Sequence, residues 1–413
     1  MSAPSETIQP TPSSSSTVPP VTANKPPHVL IGGAGLAGLF LGILLERAGI
    51  PYEIFERAIM CLSPNILPAF EQLGLLDELL SFSKPTVAGV MLTDKLKLIG
   101  KAVSDCNDEI GYDRVLFARP ELHNMLLNKT PKEKLHMSKK IVSLDQDQDG
   151  VTVTFEDNTT ARGDILVGAD GAHSAVRQHL YKTLEKDGLL PKSDTEDTSK
   201  GYISLVGTTS ALDPVKYPGV LVKESEVFYM IGDKDAPYTM LDEIRHFKTP
   251  YGTMGDLFDA TDIEKVSKVY FEDKLFETWT HGRTVLIGDA AHMLLPSSGA
   301  GAVNAMQDAV LLANNLYDIR PTNFKNIRTA LSDYKNERFD AIKDQYPQSY
   351  ISAKLIFGHH KQLIKDTAYR PQANFLSQAP KRGTMDVIPQ RPSKRIEKEK
   401  EEAAKNEAVV TAL

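Results

Sequence analysis

Cysteine is nearly absent from this chain. Cys61 and Cys106 are the only two in 413 residues. They are too few for a disulfide framework and too far apart for a metal or redox motif, so a reducing, cytoplasmic setting is the expectation. There is also no uninterrupted apolar run long enough to span a bilayer. A basic excess is missing as well. The formal net charge is -7, which argues against nucleic acid as the partner, since phosphate binding needs a basic surface. Residues 1–27 are rich in Ser, Thr and Pro, with Lys25 their one basic residue. They lack the positive start and apolar core of a secretory signal and the arginines of a transit peptide, and are expected to form a disordered extension. No internal repeat is found. Lys, Arg and Glu mix densely from about Arg391 to Ala408, as in a solvated helix or tail with no implied partner. What remains is ordinary for a soluble protein, at 41% hydrophobic and 24% charged residues, and long enough for two packed domains.

The first positive signal is local. The apolar run from His28 to Ile31 reads as a buried strand and leads into Gly33-Ala34-Gly35-Leu36-Ala37-Gly38, then into an apolar helix. A second strand, Tyr52 to Phe55, ends in Glu56, 18 residues beyond the last glycine (56 minus 38). This is G-x-G-x-x-G between a strand and a helix, with a terminal acid. Gly33 permits the tight turn, Gly35 lets the backbone approach a pyrophosphate, and Gly38 lets the helix pack on the strand. The helix N-terminus offers free N–H groups to phosphate. Glu56 can accept hydrogen bonds from an adenosine ribose. The pattern predicts dinucleotide binding and does not by itself choose between FAD and NAD.

Two later segments repeat one design, an apolar strand ending in a glycine and aspartate pair. The first runs from Ile165 through Gly168 to Asp170-Gly171 and on to Arg177. The second runs from Thr284 through Gly288-Asp289 to His292, then past Pro296, Gly299 and Gly301 into the apolar stretch Ala302–Leu316, which is predicted to be a buried helix. Carboxylates at strand ends sit where α/β sheets place ligands. The alternative for Asp170 and Asp289 is a helix N-cap, and for Arg119 a surface ion pair. His173 and His292 have no evident partner in the sequence and read as structural. His359-His360 lacks an acidic ligand at metal spacing, so no metal site is expected.

Taken in order, the first fingerprint, Arg119 in Ala-Arg-Pro-Glu-Leu-His-Asn, the Asp170-Gly171 segment and the Gly288-Asp289 segment resemble the FAD-dependent monooxygenases of the para-hydroxybenzoate hydroxylase type. The resemblance covers residues 28 to about 350. It implies tight, non-covalent FAD, with Gly33, Gly35, Gly38 and Glu56 on its ADP half and Arg57 among the contacts. It implies Arg119 near the phosphates and ribityl chain, and Asp170 and Gly171 in a motif linked to both FAD and NAD(P)H. Gly288 and Asp289 would hold the ribityl chain, while Pro296, Gly299, Gly301 and Ala302 would lie against the isoalloxazine ring. It implies NAD(P)H as a transient co-substrate and O2, which adds to the reduced flavin as a C4a-hydroperoxide and then hydroxylates or epoxidises an aromatic or other electron-rich small molecule. No catalytic side chain is assigned. The absence of a second G-x-G-x-x-G suits this family and counts against two-dinucleotide disulfide reductases. Trp279 is the only tryptophan, so the Trp-x-Trp-x-Ile-Pro motif of a halogenase is missing. The Asp170 and Asp289 segments argue against a simple NAD-linked dehydrogenase.

The implied fold is α/β, a Rossmann-type FAD-binding fold with an inserted, reduced β-sheet substrate domain. Residues 28–85, 115–200 and 276–320 are expected to form the FAD domain, 86–114 and 201–275 the substrate sheet, 321–365 C-terminal helices and 366–413 a tail. Ile141–Leu144, Val151–Phe155 and Asp164–Val167 are expected to be meander strands. Three places are short beside the family pattern: after Arg57, at Tyr238–Phe247, and after His360. They support an alternative, an FAD-binding protein without hydroxylase activity.

Overall fold

The computed structural model describes residues 25–55, 66–86, 88–92, 96–103, 112, 114–117, 119–209, 227–233, 242, 244–249, 252–262, 267–296, 299–317, 319 and 321–356. Glu56, Arg57 and His359-His360 lie outside these residues, as do both termini.

A six-stranded sheet organises the chain. Its order is Thr280–His281, Thr284–Leu286, Ile165–Gly168, Val29–Gly32, Tyr52–Phe55, Leu135–His136. All neighbours pair in parallel except the Thr280–His281 hairpin arm. Val29–Gly32 and Ile165–Gly168 are buried at every position, as strands covered on both faces must be, and this explains their unbroken apolar sequence. The chain builds outward from Val29–Gly32 on one side through Tyr52–Phe55, then returns to the other side through Ile165–Gly168. The topological switch therefore falls at the first strand, and ligands of such sheets bind beyond the carboxyl ends there.

Helix Leu36–Ala48 follows the first strand and stops at Gly49 in a left-handed conformation, φ 67°. Helix Gly301–Tyr317 packs along it, buried from Ala302 to Leu316, as its apolar sequence predicts. Helix Phe324–Ile356 runs for 33 residues, with Pro347 inside it, and packs on Gly301–Tyr317.

A second sheet is antiparallel, in the order Val227–Asp233, Ser199–Thr208, Ser267–Leu275, His292–Met293. Its last strand follows directly on Gly288–Ala290, so this sheet is tied covalently to the second aspartate segment. Ala88–Leu92 pairs separately with Leu98–Val103, and Lys84–Thr86 with Arg114–Leu116.

The meander corrects the sequence reading in one strand. Ile141–Gln146 and Val151–Phe155 pair as expected, but their third partner is Thr160–Gly163. Ile165–Gly168 joins the parallel sheet instead. The physical reason is burial: Thr160–Gly163 alternates with solvent, whereas Ile165–Gly168 is apolar throughout and is covered on both faces. Arg283 bolts the meander to the main sheet, donating to the carbonyls of Asp147, Gln148 and Asp164.

Candidate functional site

Three turns meet at the carboxyl edge of the parallel sheet. Gly33 has φ +106°, and a Cβ there would sit 2.4 Å from the Ala169 carbonyl and 2.8 Å from the Asp170 Cα. The fingerprint turn thus rests directly on the first aspartate segment, and only glycine permits it. Gly288 has φ +59°, and its Cβ direction points at Ala305, 2.9 Å away, and Ala37, 3.8 Å away. The second aspartate segment therefore touches the first turn of the fingerprint helix. Backbone hydrogen bonds stitch the same edge. The Gly33 amide donates to Phe55, Ala169 to Gly32, and Ile287 to Gly168. Phe55 immediately precedes Glu56, so the fingerprint turn is bonded to the residue leading into the expected ribose-binding acid.

The helix beginning at Leu36 has Gly35 as its N-cap, with no side-chain cap and no acid in its first turn. Its first N–H groups lack the usual carboxylate or hydroxyl acceptor, and the dipole end is left for an anion. This donor set fits the pyrophosphate of a dinucleotide. His123, one turn into helix Arg119–Lys129, has Nε2 3.1 Å from the Ala34 carbonyl, which seats the start of that helix beside the fingerprint turn.

Asp170 is used differently. Its carboxylate accepts from Ser174 Oγ at 2.5 Å, Ala175 N at 2.7 Å and Val176 N at 3.1 Å, while Ser174 Oγ accepts from Arg177 N at 2.9 Å. Burial pushes the carboxyl upward and these hydrogen bonds pull it back. Asp170 thus braces the start of helix Ala175–Lys186, whose N-cap residue is Ser174. Gly171 follows in a left-handed turn.

Sequence reasoning missed two residues that bind these turns together. Buried Arg177 donates to the carbonyls of Ala172 and Ala290 and stacks its guanidinium 4.2 Å from the Phe276 ring centroid. It joins the two aspartate segments. Fully buried Asp308, in helix Gly301–Tyr317, accepts from Gly288 N at 2.8 Å, His292 Nε2 at 2.7 Å and Arg338 Nε at 2.6 Å. Burial would raise its carboxyl, but His292 and Arg338 together hold it below the usual range. His292 does have a partner, which the sequence alone did not reveal. The available signal was that Asp308 is the only charged residue of that helix.

Pro296 is exposed, Gly299 exposed with φ +63°, Gly301 half-buried and Ala302 buried at the start of the helix. A cavity of about 400 Å³ lies beside His173, Arg177 and Phe276, with Glu185, Asp194, Glu196, Asp197 and Glu272 also lining it. So many carboxylates do not suit a pyrophosphate. Among the described residues no group of His, Cys, Asp and Glu could hold a metal ion, and no helix is long and apolar enough to cross a membrane.

A nucleotide-binding edge of this kind defines a class, and comparison with known proteins identifies the family. Residues 27–192 and 248–345 match the FAD binding domain model. The chain belongs to that family, and its cofactor is FAD. It is similar to the FAD-dependent monooxygenase ptmM of Penicillium ochrochloron, 27% identical over 78% of this chain and 87% of that protein. It is also similar to the aurachin C monooxygenase/isomerase of Stigmatella aurantiaca, 28% identical over 78% of this chain and 88% of that one. Among solved structures, Klebsiella pneumoniae HpxO complexed with FAD and uric acid shares the fold, with a TM-score of 0.66 at 23% identity over 82% of this chain and 91% of that one. The resemblance and the α/β fold read from the sequence both stand.

Proposed function

We propose that this protein is a flavoprotein monooxygenase that uses NAD(P)H and O2 to oxygenate an aromatic or other electron-rich small molecule. The observation that carries the reading is the meeting of the fingerprint turn, the Ala169–Asp170 turn and the Gly288–Asp289 turn on one sheet edge. Curated relatives named as monooxygenases support it, matched over most of their length.

In this reading the amides after Gly33 and Gly35 bind the pyrophosphate, with Gly38 holding the helix close. Glu56 and Arg57 take the adenosine side, and Arg119 the phosphate and ribityl region. Asp289, presented by Gly288, accepts hydrogen bonds from ribityl hydroxyls. Pro296, Gly299, Gly301 and Ala302 flank the ring, and amides at the start of the following helix stabilise negative charge there. Asp170 and Gly171 act by holding the backbone beside the fingerprint rather than by direct contact. Bound FAD supplies electron transfer and oxygen activation, while the protein supplies position and electrostatics.

The decisive measurement is the absorbance spectrum of the purified protein before and after NADPH in air. A yellow protein whose NADPH oxidation rises with an aromatic substrate and yields product one oxygen heavier supports the enzyme. Flavin that stays oxidised with NADPH and with NADH would leave the alternative, an FAD-binding protein without hydroxylase activity.

A further inference from the structure

Asp289 is bracketed by two contacts to one buried carboxylate. Asp308 takes the amide of Gly288, one residue before it, and the imidazole of His292, three residues after it. The other carboxylate oxygen is taken by Arg338 from the long helix. Arg338 also donates to the Asn304 side chain, and Asn304 Nδ2 reaches Gln345 at 2.8 Å. Tyr334, one turn before Arg338, donates to the Leu286 carbonyl at 3.2 Å. Asp308, His292 and Arg338 are 0%, 1% and 4% exposed. Stability alone does not call for such a cluster, because well-packed apolar side chains of similar volume replace buried ion pairs at little or no cost. Its placement on both sides of Asp289 is the informative feature.

We propose that Asp308 is a positioning residue that sets the Gly288–Asp289 turn in its flavin-binding shape before the flavin arrives. The proposal rests on Asp289 contacting the ribityl chain, as set out above. A turn held in one conformation binds at full intrinsic affinity, whereas one in the competent shape a tenth of the time binds about tenfold more weakly.

Two variants and one wild-type measurement test it. Asp308→Leu with Arg338→Met removes both charges and leaves the Gly288 amide without its acceptor. Asp308→Asn with Arg338→Met keeps an oxygen for that amide. FAD affinity is read on flavin-free protein by quenching of flavin fluorescence, alongside melting temperature and amide hydrogen exchange. The leucine pair is expected to melt within a few degrees of wild type yet bind FAD at least about tenfold more weakly. The asparagine pair should bind within about threefold of wild type. A peptide spanning residues 285–294 should be protected from exchange in flavin-free wild-type protein. Wild-type FAD affinity in the leucine pair overturns the proposal. So does free exchange of that peptide until FAD is added, and this result decides the matter even where the leucine pair does not fold. Asp289→Ala separates the two readings. Full FAD affinity in that variant removes the ribityl contact itself, whereas its loss beside an unaffected leucine pair removes only the positioning role.

Discussion

Two strand-to-helix turns lie against each other at this sheet edge and treat their helix N-termini in opposite ways. After Val29–Gly32, the helix starts at a bare glycine with no side-chain cap. After Ile165–Gly168, the helix starts under a complete protein-made cap from Asp170 and Ser174. The first leaves its donors for a ligand, and the second spends the same donors on stability. Two strands that pair residue for residue thus lead, on the reading proposed above, to a binding turn and a bracing turn, and the side chains just past each strand decide which is which.

The contrast can be broken most severely at Gly33. Gly33→Val forces a left-handed backbone on a branched side chain and drives its Cβ into the Ala169 carbonyl. With strain of ~1–3 kcal/mol added to the clash, FAD affinity should fall by about a hundredfold or more, measured by flavin retained on purification. Asp289→Ala should come next. Losing charge-assisted hydrogen bonds worth ~1.5–3 kcal/mol weakens FAD by at least about tenfold with little change in melting temperature. Arg177→Met tests whether the two aspartate segments act together. Freeing the Ala172 and Ala290 carbonyls should lower the melting temperature by several degrees and weaken FAD by about three- to tenfold. Asp170→Ala should do the reverse of Asp289→Ala. A lost cap costs about 1–2 kcal/mol of stability, while FAD affinity stays within about threefold. An Asp170→Ala variant that loses its flavin but keeps its melting temperature would erase the distinction between the two turns.

The smallest effect concerns pH. The folded Asp308 carboxyl is held below its unfolded value by His292 and Arg338. The stability it contributes is therefore present above about pH 4 and is lost as pH falls through the lower folded value. The melting temperature of Asp308→Asn with Arg338→Met should accordingly fall less steeply than that of wild type between about pH 5 and pH 3.

The parts of the site made of glycine and apolar strand were legible because backbone geometry constrains them directly. A turn at Gly33 and two fully buried strands can only be written in a few residue types, and helix Gly301–Tyr317 announced itself by its apolar majority. The braces were not legible. Arg177 stands in an ordinary amphipathic helix, and Arg338 in a long helix dense with charge, where nothing local marks which arginine turns inward. Asp308 lies 20 residues from Gly288 (308 minus 288), and only the packing of one helix against the turn makes them partners. The third meander strand was passed over because Thr160–Gly163 carries only Ala161 as an apolar side chain, with Thr160 and Arg162 exposed.

The helix Phe324–Ile356 has a consequence for anyone building chimaeras within this family. Its Tyr334 donates to the Leu286 carbonyl just before the Gly288–Asp289 turn, and its Arg338 holds Asp308, which accepts from the Gly288 amide. Further along, Tyr346 donates to Asp273 at 2.6 Å, and Ala353 packs with Phe271 of the antiparallel sheet. From Tyr334 to Ala353 the rod extends roughly 29 Å at ~1.5 Å per residue. A transplanted antiparallel sheet would arrive with the wrong docking points unless the last turns of this rod travelled with strand Ser267–Leu275. The natural unit of exchange is therefore discontinuous in sequence, a strand together with a helix end more than seventy residues downstream (346 minus 273).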